Sequence, residues 1–227
     1  MKKLPMYLVA AMAVVVFASE ASAATTDNLQ HLMSTAGTLT IGDETFGNFD
    51  YLASGLTNFD PSQIQVTASF SGGVYYLTWA GNMSLVSGGP ATADLLLNYR
   101  VTATSGQIGM IDQFYTGSAQ PQSAAFLSID ETVRDSNGNL VANSHLDAND
   151  LSDPFAEPGD NLNINPPQSI LDVTKDIGFG VVNSGFVTIS EVTQSFHEVP
   201  ESGTTVLLAL GLVPIAAEIR RRKRRAG

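Results

Sequence analysis

From residue 38 to residue 196 the chain alternates apolar and polar positions in short runs. Ile64, Val66, Ala68 and Phe70 are separated by Gln65, Thr67 and Ser69. This period of two sends one set of side chains to each face of a strand. Ser71-Gly72-Gly73 then makes a turn and 74–79 returns, which predicts a hairpin. Runs 95–104 and 107–115 flank Ser105-Gly106 and predict a second. Runs 125–134 and 140–144 flank Asp135-Ser136-Asn137-Gly138-Asn139 and predict a third. A strand at 38–41, closed by Gly42-Asp43, and strands at 169–175 and 186–196 complete the set. Turns at intervals of about ten residues fit a sandwich or barrel, and hairpins joined without helices make the sheets antiparallel. The expected fold is all-β: one antiparallel β-sandwich, jelly-roll-like, over 24–198. One short helix is expected at 26–36, capped by Thr26 or Asp27, with Leu29, Leu32 and Met33 on one face and Gly37 at its exit. Residues 147–168, rich in Asp and Pro, read as a long acidic loop.

Two facing sheets would bury Phe46, Phe49, Tyr51, Phe70, Tyr76, Trp79, Tyr99, Phe126 and Phe186. Tyr75 and Tyr76 are neighbours on one strand, so one of them must face away from the core and is the better candidate for a ligand contact.

The two ends break the pattern. Lys2 and Lys3, the apolar stretch 7–18 and Ala21-Ser22-Ala23 form a secretory signal peptide over 1–23, with cleavage by signal peptidase expected between Ala23 and Ala24. At the other end, Val199-Pro200-Glu201-Ser202-Gly203 precedes an apolar helix expected over 204–219. The basic cluster Arg220, Arg221, Arg222, Lys223, Arg224 and Arg225 follows and would stop transfer on the cytoplasmic side. The apolar run is short for a full span and contains Pro214, which suits a transient hold in the membrane; a permanent single-pass anchor is the rival reading.

This three-part tail resembles the PEP-CTERM sorting signal of Gram-negative bacteria. Pro200 and Glu201 match that family's Pro-Glu, and Ser202 stands where its second proline usually lies. The resemblance implies a substrate of an exosortase-type processing enzyme, exported across the inner membrane, held there as an anchored intermediate and then placed at the cell surface or outside, in species that make exopolysaccharide. Leu39-Thr40-Ile41-Gly42-Asp43 and the Phe46–Phe49 segment also resemble a recurring start of such proteins, in which a short helix precedes an Ile-Gly-Asp turn.

Charge sharpens the picture. Residues 24–200 hold 19 Asp and Glu against Arg100, Arg134 and Lys175, a net charge of −16, which argues against nucleic acid as a partner. The chain has no cysteine, so disulfides and thiolate chemistry are excluded. No Gly-x-Ser-x-Gly or phosphate-binding Gly-x-x-x-x-Gly-Lys occurs, and His197-Glu198 lacks the second histidine of a zinc helix. Asp130 and Glu131 are adjacent on a strand and point to opposite faces, so they cannot flank one glycosidic bond. No catalytic residue, metal site or cofactor is therefore expected. Calcium is the one ion the acidic segments would suit: Asp135-Ser136-Asn137-Gly138-Asn139 begins like a calcium loop but lacks its later ligands, and 147–168 has the carboxylates without regular spacing. The expected function is a non-enzymatic exported surface or matrix protein associated with exopolysaccharide. The alternatives are a carbohydrate- or ice-binding module, which needs an aromatic platform or a flat Thr-rich face, and a polysaccharide-active enzyme, which needs two carboxylates about 5–10 Å apart.

Overall fold

The computed structural model describes residues 24–120, 125–148 and 159–199; the segments expected to be a signal peptide (1–23) and an apolar helix (204–219), and the basic cluster, lie outside the described residues. Among the described residues, twelve strands form two six-stranded antiparallel sheets, accompanied by one short helix. One sheet, here called A, orders β1 (Ala24–Asn28), β4 (Gln65–Ser71), β5 (Val74–Ser87), β12 (Gly185–Val199), β7 (Gln107–Gln120) and β10 (Gly159–Gln168). The other, sheet B, orders β2 (Leu39–Ile41), β3 (Glu44–Ser54), β6 (Ala91–Ala103), β11 (Ile170–Val181), β8 (Ala125–Asp135) and β9 (Leu140–Ala148). The expected β-sandwich is what forms. Its core lies between the sheets, where Phe46, Trp79, Tyr99 and Phe196 pack as tilted and edge-on ring pairs 4.9–6.3 Å apart.

Several local expectations change. The helix is shorter than predicted: α1 covers Leu29–Ser34, capped by the Asn28 side chain, which accepts from the His31 amide at 2.9 Å. Thr26 and Asp27 are strand residues, because β1 pairs with β4 and places Thr26 opposite Thr67. The hairpins β4–β5 and β8–β9 form as predicted. The second predicted hairpin, around Ser105-Gly106, does not. β6 and β7 are joined through Thr104-Ser105-Gly106 yet belong to different sheets, since β6 is already flanked by β3 and β11, and β7 by β12 and β10. A short turn that reads as a hairpin is here a crossing between sheets. Part of the predicted acidic loop is strand: β10 pairs with β7, and Pro166 and Pro167 are tolerated because β10 is an edge strand with a register shift between Asn163 and Gln168.

Of the predicted core aromatics, Tyr76, Phe126 and Phe186 lie on outer faces. Tyr75 is the inward member of its pair and Tyr76 the outward one. Phe126 covers Gly180 on the neighbouring strand, where a Cβ would sit 1.8 Å from the ring. At Gly117 of β7 an added Cβ would lie 2.5 Å from the Thr188 carbonyl oxygen, which as backbone cannot swing away. Gly117→Ala is therefore expected to destabilise the fold by about 1–3 kcal/mol, measured by urea unfolding through the fluorescence of buried Trp79.

Candidate functional site

Strand register builds the outer face of sheet A into ordered rows. Thr26, Thr67, Thr78, Thr193 and Phe114 stand side by side across β1, β4, β5, β12 and β7. The next row reads Ala24, Ser69, Tyr76, Ser195, Asp112 and Asn161. A third reads Asn28, Gln65, Ala80, Glu191 and Thr116. Hydroxyls and amides dominate, in a domain whose net charge is strongly negative. The threonine hydroxyls bond in pairs, Thr26 to Thr67 at 2.9 Å and Thr78 to Thr193 at 3.1 Å. Two aromatic rings, Tyr76 on β5 and Phe114 on β7, stand diagonally on either side of the buried Thr193 and Ser195, two strand spacings across and one row along, with their Cα atoms roughly 12 Å apart.

Asp112, Ser195 and His197 meet on this face, a grouping the sequence did not reveal. His197 Nε2 contacts Asp112 Oδ2 at 2.8 Å and Ser195 Oγ at 3.1 Å, and Ser195 Oγ donates to the same Asp112 oxygen at 3.1 Å. A nucleophilic relay would use both ring nitrogens, one for serine and one for aspartate. Here serine and aspartate share one nitrogen and each other, a closed triangle that fixes three side chains in place.

The outer face of sheet B is richer in charge. Arg100 forms a two-pronged pair with Asp172 at 2.7 and 2.8 Å. His145 Nδ1 contacts Asp130 at 2.7 Å, and that pair raises the histidine pKa. Burial and a hydrogen bond with Asp94 push Asp176 up to about 6, with the charge of Asp130 adding to the effect. Glu131, next to Asp130, points the opposite way into the core, as the alternation required.

Among the described residues no group of three or more His, Cys, Asp or Glu is arranged to hold a metal ion. At the turn weighed for calcium, Asp135 is occupied by the turn itself: its carboxylate accepts from the amides of Asn137 and Asn139 and from the Asn139 side chain, all at 2.9 Å. Residues 149–158 of the acidic segment lie outside the described residues. A cavity of about 290 Å³ opens beside α1, lined by Gln30, Met33, Ser34, Tyr51 and Pro61. No helix of the described residues is long and apolar enough to cross a membrane. Of the residues named for targeting, Ala24 opens β1 and Val199 closes β12; Ala23, Pro200, Glu201, Ser202, Gly203 and the basic cluster Arg220–Arg225 lie outside the described residues.

Two buried polar clusters were not expected. In the first, Lys175 Nζ of β11, 0% exposed, donates to Glu131 Oε1 of β8 at 2.8 Å and to Gln113 Oε1 of β7 at 2.7 Å, and Gln113 Nε2 donates to Ser144 Oγ of β9 at 2.7 Å. In the second, Glu44 is fully buried and neither carboxylate oxygen has a partner. Burial, with the charges of Glu198 and Asp43 behind it, raises the Glu44 pKa to about 9. Asp43 accepts hydrogen bonds from the Tyr75 and Ser105 hydroxyls, which outweigh its desolvation and hold its carboxyl below the ordinary value.

No family model matches the chain, and no curated protein does. Among solved structures it is similar to the module TmCBM61 in complex with β-1,4-galactotriose, at 14% identity and a TM-score of 0.33, over 63% of this chain and 86% of that one. It is similar also to the xylan-binding module CBM15, at 15% identity and a TM-score of 0.29, over 66% of this chain and 92% of that one. A glycosylation-associated protein complex (Gap123) of Streptococcus agalactiae follows at 13% identity and a TM-score of 0.32, over 74% of this chain and 28% of that one. These overlaps are too slight to carry a ligand or an activity to this chain.

Proposed function

We propose that the domain is a non-catalytic binding module for a neutral polysaccharide, acting outside the cell. The observation that carries this is the outer face of sheet A. Sugars offer hydroxyls to bond and C–H faces to stack. Thr26, Thr67, Thr78, Ser69 and Asn161 supply donors and acceptors without charge, Tyr76 and Phe114 supply apolar rings, and Thr193 and Ser195 lie buried beneath their neighbours between the rings. A hydroxyl-rich surface whose charged side chains are Asp112, Glu191 and His197, on a domain of charge −16, suits an uncharged polymer, since a polyanion would be repelled by the rest of the molecule. The Asp112–Ser195–His197 triangle holds its part of the surface rigid, which lowers the ordering cost of binding. Export belongs to the same proposal: signal peptidase would cut after Ala23, and an exosortase-type enzyme would act at Val199–Gly203, with the basic tail holding the chain until then.

The test is binding of the purified protein to a panel of soluble neutral polysaccharides. Tyr76→Ala is expected to weaken binding by about tenfold or more, the scale of losing one buried aromatic contact. Asp94→Asn, on the opposite face, should leave binding unchanged. Equal loss from both variants, or no binding to any neutral glycan, would overturn the reading. Thermal hysteresis without glycan binding would assign the threonine rows to ice.

A further inference from the structure

The Lys175 cluster has a geometry beyond that of a buried ion pair. Lys175 belongs to sheet B and Gln113 to sheet A, so their contact bridges the two layers. The amine lies 2.7 Å from Gln113 Oε1. The amide carbon is one C=O bond of about 1.2 Å behind that oxygen, which brings Cδ within about 4 Å of Nζ. That is close to the separation of a near-attack arrangement. Lys175 Nζ also donates to Glu131 Oε1 at 2.8 Å, while Glu131 Oε2 is buried without a partner. Ser144 Oγ holds the amide nitrogen, the group that would leave.

We propose that Lys175 and Gln113 form an intramolecular amide cross-link between the two sheets, with Glu131 carrying the protons. The Lys175 ammonium first passes one proton to Glu131 along their hydrogen bond. The neutral amine then attacks Gln113 Cδ; the Nζ–Cδ bond forms and the Cδ–Nε2 bond breaks. Of the three ammonium protons, one stays on the new amide nitrogen, one goes by way of Glu131 to the departing nitrogen, and one remains on the Glu131 carboxyl. Ammonia leaves. No oxidant, metal or cofactor takes part, and atoms and charge balance. Burial lowers the Lys175 pKa, which favours the neutral, nucleophilic amine. The reaction also replaces a desolvated ion pair by a neutral amide and a neutral acid, which the water-free interior favours. The chain has no cysteine, so such a bond would brace the sandwich without dependence on redox conditions.

The test is peptide mass mapping of the purified, denatured full chain. Trypsin cuts after Arg100, Arg134 and Lys175, so a cross-link should protect the bond after Lys175 and join 101–134 to 135–220 as one species, lighter by one ammonia, about 17 Da. Lys175→Arg, Gln113→Ala and Glu131→Gln should each give separate peptides at the masses of their own sequences. The wild-type protein decides by itself should a variant fail to fold. Ready cleavage after Lys175 with every peptide at its sequence mass overturns the proposal. So does a loss of one water, about 18 Da, which would place the bond on Glu131.

Discussion

Lys175→Met is expected to lower the unfolding free energy by about 3–5 kcal/mol, among the largest effects of any single substitution in this chain. The lysine lies in the middle of the sandwich with no access to water. Its removal leaves the Glu131 carboxylate opposite an apolar side chain and strips Gln113 of a donor. A buried charge without a partner costs far more than the pair itself contributes, so the double variant Lys175→Met/Glu131→Leu should recover part of the loss. The recovered part measures the stranded carboxylate. The unrecovered part measures what the lysine contributed directly, including any bond to Gln113. Urea unfolding followed by Trp79 fluorescence gives both figures. A single variant within about 0.5 kcal/mol of wild type would show that the cluster is not closed to water as described.

Glu44 should give the protein an unusual pH profile. Its folded pKa of about 9 lies above the ordinary 4.5. The folded state therefore keeps a proton that the unfolded chain releases. The contribution is fully present below the ordinary value and is lost as pH rises through the folded value, at most about 1.4 kcal/mol per pH unit. Stability should fall from pH 5 to pH 9, in a range where most domains are level. Glu44→Gln keeps the shape and removes the ionisation. It should match wild type near pH 5 and exceed it by on the order of 3 kcal/mol at pH 8. Glu198, itself pushed up by burial and by Asp43, remains in the variant and leaves a residual slope. Parallel pH profiles for the two proteins would refute the assignment of the slope to Glu44.

How much of this was legible beforehand depends on the range over which the signal acts. The hairpins β4–β5 and β8–β9 were readable because alternation and turn residues act within a dozen positions. The Gly42-Asp43 turn was readable for the same reason: Gly42 adopts a positive φ of 59°, and a Cβ there would sit 2.7 Å from the Tyr75 hydroxyl. The β6–β7 connection was misread because nothing in Ser105-Gly106 records that both strands already have partners on each side. The prolines of β10 argued for a loop, and only its place at a sheet edge made a strand acceptable. Lys175, Glu131 and Glu44 carry no local mark of burial. A charged residue at an inward strand position reads as a surface residue until its partners are known.

The candidate surface follows the same division. That Tyr75 and Tyr76 face opposite ways was plain from strand geometry, but not which of them faced out. Asp112, Ser195 and His197 are brought together by the pairing of β7 with β12, across more than 80 residues of chain. The threonine row needs four strands in register, drawn from positions 26, 67, 78 and 193.

The amino-acid sequence alone determined the all-β class, the acidic middle and the absence of thiol chemistry. These rest on composition and short-range periodicity, which do not depend on how distant segments meet. The tertiary structure alone decided which strands are neighbours, and with that the hydroxyl-rich face of sheet A, the ion-paired face of sheet B and the carboxylates and amine enclosed between them. The reason is physical. Register between strands fixes which side chains stand together, and register is set by the packing of the whole core.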